Sequence, residues 1–191
     1  MSRIPHAAPA PDAPRELVDA ILARRGGRLL NLDRMLLRSP AFARGWNAFL
    51  GEVRNNLALS PKLRELAICL VAVLNGADYE YLHHAPEFVR AGGTARQLAA
   101  LRGIEHGIVE PAPFDACERA VIRLTLEMTR DVRTSDATFA AAVDALGDYQ
   151  HVVELVGVIA TYNMVSRFLL ALQVEPETAA SHTPLFEEVQ P

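Results

Sequence analysis

Residues 60–84 read SPKLRELAICLVAVLNGADYEYLHH, and this stretch decides the fold. Pro61 suits a first helical position, since its missing N–H would have no partner there, and Ser60 precedes it as the candidate cap. From Leu66 to Leu74 runs the longest uninterrupted apolar segment, nine residues. A bilayer-spanning helix needs about 20 residues, so this segment reads as a helix buried inside a globular core. Asn75-Gly76 ends it, because glycine accepts the left-handed conformation that closes a helix. Asp78 then opens a second helix to Ala91, stopped by Gly92-Gly93. Pro86 lies inside that helix, removes one donor and crowds the carbonyl of Leu82, so a kink or break is expected there.

Outward from this pair, helix signals continue in both directions. Apolar residues at 17, 18, 21 and 22 mark a helix over Arg15–Arg24, and Leu29–Leu37 is a second. Ser39-Pro40 starts a third, through about Arg54, that carries the only tryptophan, Trp46. Thr94 caps a short helix to about Arg102. After a loop with Gly107, Pro111 and Pro113, helices are expected at about 115–130, 136–146 and 149–173. The last is long and strongly apolar, but His151, Glu154 and Arg167 argue against a lipid environment. No alternating strand pattern bounded by hairpin turns is visible. The expected fold class is all-α: residues 1–14 a proline-punctuated flexible arm, 15–175 a single helical domain, 176–191 a loosely held tail. A long helix apolar on nearly every side also predicts burial at a subunit contact, hence an oligomer.

Composition excludes several classes. Half the residues are apolar, 22% are charged and the net charge is −4, which leaves no electrostatic footprint for nucleic acid. No membrane partner is expected. Cys69 and Cys117 form neither a C-x-x-C nor a zinc-type pattern, and two scattered thiols fit a reducing cytoplasm. Cys69 reads as a buried small hydrophobe. Cys117, at a helix start, would have a somewhat lowered pKa if exposed, although an inert thiol is the favoured reading.

The residues with chemistry cluster in the opening stretch. Glu65 shares a stripe with Ile68, Cys69 and Ala72, so its carboxylate must be paired or perturbed, while Arg64 is expected to point elsewhere. Glu80 and His84, four apart, share a helix face, the spacing with which a carboxylate orients an imidazole. Many exposed helices carry such pairs without function. Glu80-Tyr81-Leu82-His83 also matches the Glu-x-x-His element of di-iron bundles, but the chain has no second copy. Neither a metal nor a cofactor is expected.

The spacing resembles a known family. Glu65, eleven residues, Ala77, two residues, Glu80, three residues and His84 is similar to the Glu…Cys-x-x-Cys…His pattern of the carboxymuconolactone decarboxylase and alkylhydroperoxidase D family. Both cysteine places are changed, to Ala77 and Glu80. The strings Arg64-Glu65-Leu66-Ala67, Gly76-Ala77-Asp78-Tyr79-Glu80, Val153-Glu154-Leu155-Val156-Gly157 and Tyr162-Asn163-Met164-Val165-Ser166-Arg167 carry the likeness across roughly residues 28–175.

The resemblance implies an alkylhydroperoxidase D-like helical bundle that self-associates as a dimer, trimer or hexamer, with sites near subunit contacts. It also implies that thiol peroxidase chemistry is lost. A Glu four residues before the His resembles the decarboxylase branch: a cofactor-independent lyase acting on a small unsaturated or lactone acid. On that reading His84 donates the proton, Glu80 orients it and Glu65 tunes or reprotonates it. Arg167 or another arginine holds the substrate carboxylate, and Trp46, Tyr81 and Tyr162 line an apolar pocket. The rivals are an alkylhydroperoxidase-type antioxidant protein and a non-enzymatic oligomeric binding protein.

Overall fold

A computed structural model describes residues 2–5, 14–104 and 112–177. The described residues form helices and connecting turns, with no strand among them. Met1 and residues 6–13 of the expected arm, the loop residues Gly107 and Pro111 and most of the 176–191 tail lie outside the described residues. The stretch 15–175, taken from the sequence as one domain, divides into two compact units: Met1–Asn56 with Ala171–Pro191, and Leu57–Leu170.

The first unit contains α1 (Arg15–Arg25), α2 (Asn31–Leu36) and α3 (Pro40–Asn55). Asp33 on α2 is buried, and its cost is offset by Arg25, 3.1 Å away, and by the Leu30 N–H at 3.0 Å. The Asn31 side-chain amide donates to the Glu175 carbonyl at 3.0 Å, tying the segment after residue 171 to this unit. Trp46 is buried on α3 with Phe42 packed at 5.7 Å between ring centroids.

The second unit contains α4 (Pro61–Asn75), α5 (Asp78–Arg90), α6 (Ala95–Ile104), α7 (Ala116–Arg130), α8 (Asp136–Leu146) and α9, which spans Tyr149–Leu172 and belongs here through Leu170. The nine-residue apolar run becomes the axis of the unit. Every residue from Leu66 to Val71 is wholly buried, and α4 packs against α5, α6 and α7. A helix apolar all round has no face left for water, so it takes the centre. Each such leucine or isoleucine contributes about 1.5–3 kcal/mol through removal from solvent. By length and composition α9 could cross a membrane, yet half of its most apolar window is buried inside the fold.

Side-chain caps close the starts of α6, α7 and α8. The Asp115 side chain accepts from Glu118 N at 2.8 Å while Glu118 accepts from Asp115 N at 2.9 Å, a reciprocal box. Thr94 and Gln97 make the same exchange at the head of α6. Two expectations need correction. Ser39 and Ser60 occupy the cap positions of α3 and α4, but neither side chain makes a capping hydrogen bond. The prolines alone set these starts, because their φ is already helical. Pro86 does not break α5, which runs unbroken from Asp78 to Arg90. Leu82, whose carbonyl loses its donor, is exposed, and water can take the bond.

The double glycine after α5 has two separate jobs. Gly92 takes φ +98°, a conformation that a side chain resists. Gly93 lies against the Phe88 ring, where an added Cβ would come within 2.3 Å of a ring carbon. Phe88 is wholly buried and has no room to retreat. Gly93→Ala is therefore expected to destabilise the protein by about 1–3 kcal/mol, the range for overpacking a core. Chemical denaturation checks it; an unchanged midpoint would show that the ring can move.

Candidate active site

Glu65 enters the core on the first turns of α4 and is 3% exposed. Its Oε2 lies 2.6 Å from Nδ1 of His84, which is 4% exposed on α5. Its Oε1 accepts from Arg64 Nε at 3.3 Å. With donors at both oxygens the carboxylate is satisfied as an anion, and His84 Nδ1 supplies the hydrogen of the short bond. Tyr162 on α9 closes the other side: its ring meets the His84 ring edge-on, centroids 4.9 Å apart at 84°. The imidazole is thus held in one orientation by a carboxylate and an aromatic wall.

This corrects the sequence reading in two respects. Glu65, not Glu80, orients His84. The i,i+4 rule made Glu80 the neighbour, but a buried carboxylate facing from the adjacent helix makes the shorter and straighter reach. Arg64 does not point elsewhere either. Successive helical residues diverge by about 100°, yet the long arginine stem wraps back so that its Nε reaches Glu65.

Glu80 is 2% exposed and takes a different partner. The Ser166 hydroxyl, wholly buried on α9, lies 3.1 Å from Oε1 and 3.2 Å from Oε2. Burial pushes the Glu80 carboxyl well above the usual carboxylate range, and the Ser166 bond only partly opposes this. The surroundings of Glu80 favour its protonated form, while Glu65 is paired with His84 and Arg64. Ser166 was not singled out from the sequence. The available signal was a hydroxyl within an apolar helix, a group that must find a partner when buried.

Cys69 sits between these groups. Its thiol is pushed upward by burial first, then by the charges of Glu65 and Glu80, so it stays protonated and unreactive. Cys117 fits the inert-thiol reading. It is half-buried, and burial, followed by the charges of Asp115 and Glu118, raises its thiol.

Of the proposed pocket residues, Tyr162 lies against His84. Trp46 is buried within the first unit. Tyr81 is half-buried, with the Arg102 guanidinium 4.8 Å from its ring centroid. Arg167 is exposed and donates to the carbonyl and side-chain oxygens of Asn163 at 2.8 and 2.7 Å. Asn163 itself links α9 to Asn75 and Thr129 at 3.1 and 3.0 Å. His83 stacks on Tyr79, and its Nδ1 lies 2.8 Å from the Tyr79 carbonyl. Among the described residues, no three His, Cys, Asp or Glu side chains converge as metal ligands.

Residues 40–121 match the model of the carboxymuconolactone decarboxylase family. That segment resembles the family, and it holds Glu65, Ala77, Glu80 and His84 together, so the likeness covers the paired glutamate and histidine as well as both positions without cysteine. No curated protein sequence matches the chain. Solved structures share its fold at low identity. A peroxidase-related protein from Silicibacter sp. TM1040 superposes with a TM-score of 0.77 at 18% identity, over 97% of this chain and 96% of that one. An alkylhydroperoxidase AhpD core protein from Ralstonia eutropha JMP134, also peroxidase-related, gives 0.78 at 16% identity, over 96% and 97%. The debrominase Bmp8, solved as a cysteine-to-alanine variant in complex with 2,3,4-tribromopyrrole, gives 0.73 at 16% identity, over 95% and 96%. These show an alkylhydroperoxidase D-like helical fold.

Proposed function

We propose that the protein is a cofactor-independent lyase that uses carboxyl and imidazole groups to move a proton on a small unsaturated or lactone acid. The observation that carries this reading is the buried Glu65–His84 contact at 2.6 Å, one helical turn from a second buried carboxyl group, Glu80, that burial pushes toward its protonated form. Two acids driven apart by their surroundings are the general signature of an acid–base division of labour. Decarboxylation needs little more: the carbon–carboxylate bond breaks, carbon dioxide leaves, the electron pair spreads into the conjugated carbonyl and a proton is delivered to carbon. The imidazole held by Glu65 serves as the relay.

The substrate carboxylate was assigned from the sequence to Arg167 or another arginine. Arg64 suits that role better. Its Nε is engaged by Glu65, and its terminal nitrogens make no hydrogen bond to the described residues. They can receive a carboxylate beside the imidazole. Self-association as a dimer, trimer or hexamer, a cytoplasmic location and the absence of nucleic-acid or membrane partners belong to the same reading. The exposure of Val153 and Met164 along the apolar α9 supports the first of these.

A thiol peroxidase is the main rival. It has nothing here to use at Ala77 and Glu80, and the Cys69 thiol is held protonated. The two readings part in one assay. Purified protein is expected to release carbon dioxide from at least one member of a panel of unsaturated and lactone acids, and to consume no peroxide with a dithiol reductant. Peroxide turnover without carbon dioxide release would reverse the assignment. Ligand-induced thermal stabilisation without any turnover would instead favour a binding protein.

A further inference from the structure

The sequence reading made His84 the proton donor and gave Glu80 only an orienting task. The geometry separates the two: His84 is bound to Glu65 from α4, and Glu80 is bound to Ser166 from α9. We propose that Ser166 is a positioning residue whose hydroxyl, bridging both oxygens of Glu80, presents that carboxyl group as the proton donor of the site. This rests on the proton-transfer reading above and deepens it by naming the donor and the group that aims it.

The argument starts from hydrogen-bond inventory. A serine hydroxyl carries one hydrogen and two acceptor sites. At 3.1 and 3.2 Å from the two carboxyl oxygens it donates to one and can accept from the other, provided that the carboxyl group carries its proton. Ser166 can thus serve the acid form of Glu80 as donor and acceptor at once, which fixes the oxygen that holds the hydrogen. A carboxylate in the same place would have this single hydroxyl as its only side-chain donor in a buried setting, and burial outweighs that one bond. Burial raises the acid in agreement with this.

The groups around Glu80 point the same way. From α4 it faces Cys69, whose thiol stays protonated, and shares that thiol's field with the Glu65 anion. From its own helix the nearest ionisable side chain on the same face is His84, already bonded to Glu65. From α9 it faces Ser166, with Tyr162 one turn away along the same helix. None of these contributes a cation bonded to Glu80. These surroundings favour the proton on Glu80, where it is available to a carbanion formed beside it. The bond made is C–H, the bond broken is the carboxyl O–H, and solvent returns the proton once the product leaves.

The test needs no substrate. Infrared difference spectra between neutral and alkaline pH should show one protonated-carboxyl C=O band that Glu80→Gln abolishes. In Ser166→Ala the band should move to higher frequency, as a carbonyl does when it loses a donor, and should persist to higher pH. Ser166→Cys, a weaker donor of similar volume, should fall between the two and guards against a folding defect in the alanine variant. A wild-type spectrum without the Glu80 band at neutral pH, or a band that neither serine variant moves, overturns the proposal. Because no turnover is read, such a failure would be separate from any failure to find carbon dioxide release.

Discussion

Glu65→Ala is expected to destabilise the protein by about 3–5 kcal/mol, the cost of leaving one partner of a buried polar pair without the other. The two groups are 3% and 4% exposed and 2.6 Å apart, so water cannot replace the lost carboxylate. Arg64 loses its acceptor as well. The effect should shrink when both ends are removed together. Glu65→Leu combined with His84→Leu leaves no orphaned polar atom and should recover most of the loss, because apolar groups of similar shape can replace a buried polar pair at little net cost. A double-mutant cycle by denaturant unfolding measures this. Strict additivity of the two single losses would mean that the contact contributes nothing. On the catalytic side, His84→Ala should lower turnover by about a hundred- to ten-thousand-fold, the usual range for removing a general acid or base.

Glu80→Gln should produce the second large effect, with opposite signs for stability and activity. The folded-state pKa of Glu80 is raised, chiefly by burial. The native protein therefore holds a proton that the unfolded chain gives up above the ordinary carboxylate range. Its stabilising share is present below that range and falls away as pH rises through the elevated value. Glutamine keeps the shape and can still meet Ser166, but it never ionises. The variant should match wild type in mild acid, and should melt higher than wild type at neutral and alkaline pH. Turnover should drop by about a hundred- to ten-thousand-fold, since the amide has no proton to give. Thermal melts across pH check the first half; identical pH profiles for the two proteins would show that Glu80 is already ionised in the fold.

The fold was legible because its signals are local. The nine-residue run Leu66–Leu74 becomes the buried axis α4, and Gly76 closes it in the left-handed conformation as expected. Asp136–Leu146 and the long α9 also fall where apolar periodicity and caps placed them. The site was half legible. Glu65, Glu80 and His84 were all found, since charged side chains beside an apolar run must be explained. Their pairing was misassigned because sequence spacing ranks neighbours within one helix and cannot rank contacts between helices. The Glu65–His84 bond crosses from α4 to α5, and the Glu80–Ser166 bond crosses from α5 to α9, 86 residues along the chain. Arg167 illustrates the converse. It was chosen as a cation near a family string, but its stem follows the exposed side of α9 and folds back on Asn163. Trp46, offered as a pocket residue, is buried within the first unit.

All of this chemistry depends on an imidazole that is gripped by a glutamate from the neighbouring helix. Nuclear magnetic resonance of protein labelled with 15N-histidine reads that grip directly. The account predicts a slowly exchanging, strongly downfield proton on Nδ1 of His84 that vanishes in Glu65→Gln and survives in Glu80→Gln. A ring signal of ordinary shift, exchanging freely with water and indifferent to Glu65→Gln, would contradict it.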